Sequence, residues 1–232
     1  MNLLQLTDLS SGYGKKEVIS NISLDISSSQ IVTLIGSNGA GKSTLLKAIY
    51  GLNDIWGEGK VFYEEVEISG AKPETLLPKG MVYIGQKSNT FDSFSVEENL
   101  KIAGYLYAKP ILRTKLEKLY ELLPKLKALH TQKMHSLSGG QRQLVALGMG
   151  MLHEPKLVLF DEPSAGLDVK SMRDIFSIIA SMKEREGVSF LIVEHRVREI
   201  ASITDRWIGL KLGKKIKDQE VMHASDLNEV FL

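Results

Sequence analysis

"GSNGAGKST", residues 36–44, matches the pattern G-x-x-x-x-G-K-[ST] at every fixed position. The apolar run "QIVTLI" precedes it, and a predicted helix from Lys42 to Tyr50 follows it. This strand–loop–helix order is the context that a phosphate-binding loop requires. A glycine turn without a ligand is the alternative, and it is disfavoured because every fixed position is present in this context.

The loop predicts a nucleotide site. Glycines let backbone N–H groups point inward, and the N-terminus of the following helix adds positive potential. We predict that Lys42 contacts the β- and γ-phosphates and that the Ser43 hydroxyl reaches a magnesium ion. The pattern differs from G-x-G-x-x-G, so a nicotinamide site is set aside. The predicted nucleotide-binding residues of the loop are Gly36, Ser37, Asn38, Gly39, Ala40, Gly41, Lys42, Ser43 and Thr44.

A second segment, "LVLFDEP" at residues 157–163, supplies two carboxylates at the end of an apolar strand. Asp161 is predicted to hold the magnesium ion through water, and Glu162 to polarise the attacking water. A helix N-cap before Pro163 is the alternative interpretation. Beside a phosphate loop the catalytic interpretation is favoured, and the two segments together predict a nucleoside triphosphatase.

The rest of the chain predicts an α/β fold. "NLLQLTDL" and "ISLDIS" alternate as half-buried antiparallel strands do, and "GMVYIGQ", "KLVLF", "VSFLIVE" and a final strand "DRWIGLKL" indicate core strands. Leucines at helical spacing between Val96 and Leu129 predict helices, with a kink at Pro124. We expect one domain over residues 1–232, with a parallel-sheet core, an antiparallel N-terminal β layer and a helical subdomain inserted at residues 87–152.

Composition excludes several classes of protein. The 232 residues carry 29 basic and 28 acidic side chains, so a net charge of +1 gives no field that favours nucleic acid. The Lys-rich stretch 211–217 is interpreted as a solvated strand and turn. The absence of cysteine excludes a disulfide scaffold. The longest apolar run, residues 144–152, is too short to span a bilayer. The sequence therefore predicts a cytoplasmic protein that depends on other subunits for any membrane span.

"LSGGQ", residues 137–141, resembles a second phosphate loop, although one nucleotide does not need two. Ser138 and Gln141 fit a capping box, S-x-x-Q, at a helix start. That box does not account for Gly139 and Gly140, each of which costs about 1 kcal/mol relative to alanine within a helix. Bare N–H groups there predict an anion site without its own lysine, suited to a phosphate that a cation elsewhere already holds.

Together, "GSNGAGKST", "LSGGQ" and "LVLFDEP" in this order resemble the ATP-binding cassette (ABC) family over nearly the whole chain. The resemblance implies ATP and Mg²⁺ as ligands and a head-to-tail dimer in which Ser138, Gly139, Gly140 and Gln141 of one subunit cap the γ-phosphate bound to the other. It further implies that Tyr13 stacks on adenine, that Gln86 senses magnesium and water, that Asp168 of "SAGLD" lies at the dimer interface and that His195 contacts the γ-phosphate.

"SVEENLKIAGYL", "LYELLPKLKAL" and "EPSAGL" resemble the ATP-binding subunits of branched-chain amino-acid importers, and lipopolysaccharide-export ATPases share part of this pattern. Met149 stands where the family usually has arginine.

We expect a second ATPase subunit and membrane permease subunits as partners, a location on the inner face of the membrane, and no nucleic acid. The segment at residues 86–94 is predicted to contact the permease. The alternatives are a soluble cassette protein acting on DNA or ribosomes and a regulatory subunit that does not hydrolyse ATP; intact Glu162 and His195 disfavour the latter.

Overall fold

The structure is a computed structural model that describes residues 2–86, 89–221 and 223–231. Its strands in chain order are β1 (Asn2–Tyr13), β2 (Lys16–Ser27), β3 (Ile31–Ile35), β4 (Ile55–Trp56), β5 (Lys60–Tyr63), β6 (Val66–Glu67), β7 (Met81–Ile84), β8 (Leu157–Asp161), β9 (Ser189–Val193), β10 (Arg206–Lys211) and β11 (Lys214–Gln219). Its helices are α1 (Lys42–Ile49), α2 (Pro73–Leu76), α3 (Val96–Ala103), α4 (Lys109–Leu122), α5 (Pro124–Leu129), α6 (Gly139–Met151), α7 (Val169–Glu186), α8 (Val197–Ile200) and α9 (Ala224–Phe231).

The central sheet has the strand order β11-β10-β3-β9-β8-β7, in which β11 pairs antiparallel and the others pair parallel. Every residue of β3, β8 and β9 is buried. Parallel sheets are covered on both faces, so their strands read as continuous apolar runs, as "IVTLI" does. Because the strands run parallel, the loops after β3, β7, β8 and β9 leave the sheet at one edge. The predicted parallel core is confirmed, and this edge carries the candidate site.

An antiparallel sheet built on β1 forms a second layer, with the order β2-β1-β5-β6 and β4 paired to β1. Inward-facing leucines of β1 are fully or almost fully buried and share one apolar core with α1 and one face of the central sheet. The alternating pattern of "NLLQLTDL" therefore predicted this layer correctly, since one face of the sheet is packed and the other is solvated.

The helices α3 to α6 lie between β7 and β8 in the chain and pack on the opposite face of the central sheet. Leu116, Leu119 and Leu126 are buried there with Ile84 and Phe160. The region predicted as helical between Val96 and Leu129 is interrupted between α3 and α4, and the predicted kink is a break in which Pro124 begins α5. Proline suits this first helical position because it has no N–H to pair. Lys87 and Ser88 of the predicted permease-contacting segment lie outside the described residues.

The C-terminal part differs from the prediction, because β10 is not the final strand. The chain turns at Leu212 and Gly213 into β11, and α9 follows. β11 has one apolar residue, Ile216, and pairs antiparallel with β10, with ion pairs across this hairpin such as Arg206 with Asp218 at 2.6 Å. Apolar and polar residues do not alternate along this edge strand, so its sequence does not predict a strand. Within the described parts of the chain, no helix is long and apolar enough to cross a bilayer.

Candidate active site

The phosphate loop connects β3 to α1 in a shape that glycine permits. Gly36 and Gly41 have φ angles of 155° and 100°. A Cβ atom on Gly41 would lie 2.4 Å from Cγ2 of Ile19, and one on Gly36 would lie 2.3 Å from the carbonyl oxygen of Leu210. Side chains at these positions would clash with the neighbouring strands as well as strain the backbone. The two glycines are therefore required by the fold, besides any need for a ligand to approach.

Lys42 is held inside this loop. Its Nζ donates hydrogen bonds to the carbonyl oxygens of Gly36, at 2.8 Å, and Ser37, at 3.0 Å. Burial lowers the pKa of Lys42, and the negative charges of Glu162 and Asp161 oppose that shift. A buried cation at the mouth of a ring of backbone N–H groups is a site for an anion.

Asp161 is the last residue of β8 and is 4% exposed. The Ser43 hydroxyl donates to its Oδ1 at 2.9 Å, and the Tyr83 hydroxyl lies 3.4 Å from Oδ2. Burial raises the pKa of Asp161, while the hydrogen bond from Ser43 acts in the opposite direction. Hydroxyl and carboxylate oxygens are the ligands Mg²⁺ prefers, and it usually takes only one or two carboxylates beside phosphate oxygens. The pair Ser43 and Asp161 fits that donor set.

Glu162 lies between the two other predicted catalytic residues, Gln86 and His195. Its backbone has a φ of 52°, a left-handed conformation that is costly for a residue with a side chain. Nε2 of Gln86 donates to Oε2 of Glu162, and Nε2 of His195 lies 3.0 Å from Oε1. The structure thus brings together Gln86, Glu162 and His195 from the ends of β7, β8 and β9. A carboxylate held in this way can accept a proton from a water molecule.

Glu162 and His195 line a cleft of about 510 Å³, within the size range of small-molecule sites, whereas Gln86 lies behind Glu162 and is not part of this lining. Tyr13 lies at its rim with half its surface exposed, and Nζ of Lys47 is 5.9 Å from the centre of its ring. The residues that line the cleft are Tyr13, Lys16, Glu17, Val18, Asn38, Gly39, Gly41, Lys42, Ser43, Thr44, Glu162, His195 and Leu212.

The sequence analysis missed four of these lining residues, Lys16, Glu17, Val18 and Leu212. They reach the cleft because the β10–β11 turn is hydrogen-bonded to both the N-terminal hairpin and the phosphate loop. Gly213 accepts from the Ser20 N–H at 2.9 Å and donates to the carbonyl oxygen of Ala40 at 3.1 Å. No local sequence pattern predicts these contacts, because the N-terminal hairpin, the phosphate loop and the β10–β11 turn are far apart in the chain.

The "LSGGQ" segment begins α6 and forms the predicted capping box. The Ser138 hydroxyl accepts the Gln141 N–H at 3.3 Å, and the Gln141 side chain accepts the Ser138 N–H at 2.9 Å. A Cβ on Gly140 would lie 2.6 Å from Cβ of Ser171. One on Gly139 would lie 3.2 Å from the flexible end of Leu167 and 3.8 Å from the carbonyl oxygen of Gly166, which is ordinary contact. Close packing against α7 therefore accounts for Gly140 within a single subunit, which the sequence analysis did not foresee. No contact as close as this requires glycine at position 139.

Asp168 caps α7, accepting the N–H groups of Lys170 and Ser171 at 2.9 and 3.0 Å. Ser138, Gly139, Gly140, Gln141 and Asp168 are all absent from the lining of the cleft. The structure therefore divides the predicted nucleotide-binding residues into two groups. One group surrounds the phosphate loop, and the other lies at the N-termini of α6 and α7.

Met149, at the position where arginine was expected, is partly buried against the apolar core between the helices and the sheet. It lines a surface groove with Tyr50, Tyr83 and His153, and the rings of Tyr50 and Tyr83 stack with centroids 5.7 Å apart. The methionine continues an apolar and aromatic wall, into which an arginine would bring a charge.

The fold and the site define a class. A phosphate loop between a core strand and a helix, with an aspartate at the end of another core strand and a glutamate after it, is the arrangement of a P-loop nucleoside triphosphatase. A family model described as "ABC transporter" matches residues 19–165. The chain belongs to this family and is an ATPase that binds and hydrolyses ATP.

Individual relatives agree with this assignment. The chain is 35% identical to the high-affinity branched-chain amino acid transport ATP-binding protein BraG of Pseudomonas aeruginosa, over 91% of this chain and 90% of BraG. It is 31% identical to the lipopolysaccharide export system ATP-binding protein LptB of Haemophilus influenzae, over 100% and 98% of the two chains. A solved nucleotide-free ATP-binding cassette from an ABC transporter superimposes with a TM-score of 0.88 at 28% identity, covering 99% of this chain and 95% of the other.

Proposed function

We propose that the chain is the ATP-hydrolysing subunit of an importer for branched-chain amino acids or a similar small solute, working as a head-to-tail dimer around two ATP molecules. The observation that supports a dimer is that the predicted nucleotide-binding residues lie in two separate groups, one around the phosphate loop and one at the N-termini of α6 and α7. The cleft contains Lys42, and Ser43 with the neighbouring Asp161 supplies a magnesium-type donor set. The start of α6 instead offers backbone N–H groups, and Lys125, which lines the groove beside Ser138 and Gly140, is already paired with Asp174 at 2.7 Å. Each group is half of a site, and two subunits in opposite orientation complete both halves.

The proposed chemistry follows from the contacts around Glu162. With ATP in the cleft, Lys42 and the loop N–H groups bind the β- and γ-phosphates, and Tyr13 stacks on adenine. Glu162 orients a water molecule, which attacks the γ-phosphorus as the bond to the β–γ bridging oxygen breaks, and the carboxylate takes the proton of the water. His195 and Gln86 hold the carboxylate in position. A magnesium ion held by Ser43 and Asp161 would supply charge neutralisation on the phosphate oxygens.

An exposed aromatic pair supports contact with a membrane subunit. Phe91 and Phe94 are 51% and 41% exposed, and their ring centroids lie 6.0 Å apart. Asn99, fully buried, fixes this loop, since its side chain accepts the Phe91 N–H at 2.7 Å and donates to the Phe91 carbonyl at 3.1 Å. Exposed aromatic side chains on a fixed backbone are typical of interaction surfaces.

The same loop is hydrogen-bonded to the segment that leads into "LSGGQ". The carbonyl oxygen of Asp92 accepts the His135 N–H at 3.2 Å, and the Asp92 carboxylate lies 3.6 Å from Arg142 of α6. Displacement of the loop by a partner would therefore be transmitted to the N-terminus of α6. This is the route by which we propose that the membrane subunits and the ATP sites are coupled.

Import of branched-chain amino acids is favoured over export of lipopolysaccharide because identity to BraG exceeds identity to LptB, although LptB aligns over more of the chain. The experiment has two parts. Lys42→Ala should weaken ATP binding, whereas Glu162→Gln should keep it and lower turnover roughly 10²–10⁴-fold. Glu58→Gln, at an exposed position outside the cleft, is the matched control and should retain turnover. Near wild-type hydrolysis by both site variants would refute the assignment of the site.

The second part identifies the transport system. The tagged chain is purified from detergent-solubilised membranes, and the complex is reconstituted in proteoliposomes for uptake of labelled leucine. A multi-span partner and ATP-dependent leucine uptake are expected. Co-purification with ribosomes or nucleic acid instead would refute the transport role, and uptake of another small solute but of no branched-chain amino acid would refute the assignment to branched-chain amino acids.

A further inference from the structure

Glu194 follows β9 directly and is 1% exposed, yet the sequence analysis gave it no role. Its Oε1 accepts the Ser164 N–H at 2.9 Å. Its Oε2 accepts the N–H groups of His195, at 2.8 Å, and Arg196, at 3.0 Å. One buried carboxylate thus holds three backbone donors that belong to two different loops.

A carboxylate is costly to bury, and three hydrogen bonds from backbone N–H groups offset much of that cost. Two of these bonds fix the backbone on either side of the His195 Cα, so they set the direction of the imidazole. The third fixes Ser164, two residues after Glu162. The imidazole and the Glu162 carboxylate are themselves in contact at 3.0 Å. Glu194 therefore controls the relative placement of two residues that act together.

The Ser164 loop continues to the other half-site. The atoms nearest to a Cβ built on Gly139 belong to Leu167 and Gly166 of this loop. The loop ends at Asp168, which caps α7. Ser164 is itself 2% exposed, and its carbonyl oxygen accepts the Leu167 N–H at 3.1 Å. The segment held by Glu194 thus runs from the catalytic carboxylate to the N-terminus of α6.

We propose that Glu194 is a positioning residue for ATP hydrolysis, fixing His195 and the 164–168 loop so that the imidazole of His195 holds the Glu162 carboxylate in one geometry towards the attacking water. This inference rests on the proposed roles of Glu162 and His195. Glu194 does not line the cleft, and in the described part of the chain its carboxylate has no hydrogen bond to the phosphate loop or to Lys42; its backbone N–H donates to Leu34 of β3 at 3.2 Å. We therefore expect a change of this side chain to alter turnover and not nucleotide affinity.

Glu194→Gln tests this proposal without changing side-chain volume. The amide has one acceptor oxygen, so its NH₂ group must face at least one backbone N–H. Misplacement of a catalytic group by about 1 Å can cost about 10²-fold in rate. We expect kcat to fall about 10- to 100-fold, with the KM for ATP within about threefold of wild type. Glu194→Ala, which removes the acceptors without adding an opposing donor, should show the same division between kcat and KM.

A double-mutant cycle with His195→Ala separates positioning from general stability. If Glu194 acts through His195, adding Glu194→Gln to His195→Ala should lower kcat less than about threefold further, because coupled residues are not additive. Asp205→Asn is the matched control. Its carboxylate accepts the Ile31 N–H at 2.7 Å at the opposite end of the central sheet. This variant should lower the melting temperature and leave kcat within about twofold.

Three results would overturn the proposal: wild-type kcat in both Glu194 variants, full additivity with His195→Ala, or an equal loss of kcat in Asp205→Asn. Failure of the underlying site assignment is distinguishable from these. It would show as wild-type turnover in Glu162→Gln and in His195→Ala alone, before any change at Glu194.

Discussion

Replacing Gly139 with aspartate tests whether "LSGGQ" acts on the nucleotide of a partner subunit. Gly139 is the first residue of α6, where a negative charge is favourable by about 0.3–1 kcal/mol because it faces the positive end of the helix dipole. A Cβ there would lie 3.2 Å from Cδ2 of Leu167, which can rotate away, and 3.8 Å from the carbonyl oxygen of Gly166, an ordinary van der Waals distance. The isolated subunit should therefore fold with an unchanged or slightly higher melting temperature, and it should still bind ATP through Lys42.

The dimer should respond differently. If α6 caps the γ-phosphate of the partner, the new carboxylate comes within about 4 Å of a negative charge. At an effective dielectric constant of 20, that repulsion is about 4 kcal/mol per site. Each 1.4 kcal/mol is a factor of ten, so the dimer dissociation constant should rise about 10³-fold from one site alone.

The assay is size-exclusion chromatography with light scattering in the presence of ATP, on a Glu162→Gln background that prevents turnover. Thr114→Asp, on the exposed face of α4, adds the same charge elsewhere and should keep the ATP-dependent dimer. Gly139→Ala adds the Cβ without the charge and should weaken the dimer much less than aspartate does. An unchanged dimer in Gly139→Asp would refute the trans-acting role of this segment.

Three further predictions follow from the packing of the site and its surroundings. Phe91→Ala or Phe94→Ala should keep the ATPase rate of the isolated subunit within about twofold and reduce the amount of co-purified permease; loss of folding in both would instead show that the rings pack internally. Gly140→Ala should destabilise the subunit by about 1–3 kcal/mol in denaturant unfolding because of the contact with Ser171, and Ser171→Gly should restore part of that loss; wild-type stability of Gly140→Ala would contradict the close approach. Asp161→Asn should abolish hydrolysis yet raise the melting temperature of the nucleotide-free protein at pH 7, since the raised pKa means that the folded state disfavours the charged carboxylate. That gain should shrink as the pH falls through the raised pKa towards the ordinary aspartate value, where the native side chain is neutral as well; a gain that grows on acidification would contradict the argument.

The sequence by itself determined the class of site, because the signals involved are local. A phosphate loop needs glycines, a lysine and a hydroxyl within nine consecutive residues, as residues 36–44 supply. The capping box of Ser138 and Gln141 spans one helical turn, and the structure has it as predicted. Strands buried on both faces also read directly as apolar runs, so the central sheet was predictable apart from β11, which is a mostly polar edge strand and has no such pattern.

The tertiary structure decided which of these residues meet. Gln86, Glu162 and His195 come together because parallel strands end at one edge of the sheet, and the pairing order of those strands is fixed by contacts across the chain. The same long-range packing brings Leu212 to the cleft, makes glycine necessary at residue 140 and brings the Ser164 N–H to the carboxylate of Glu194. Contacts between residues 30 or more positions apart depend on how complete elements pack, and no spacing within one segment encodes them.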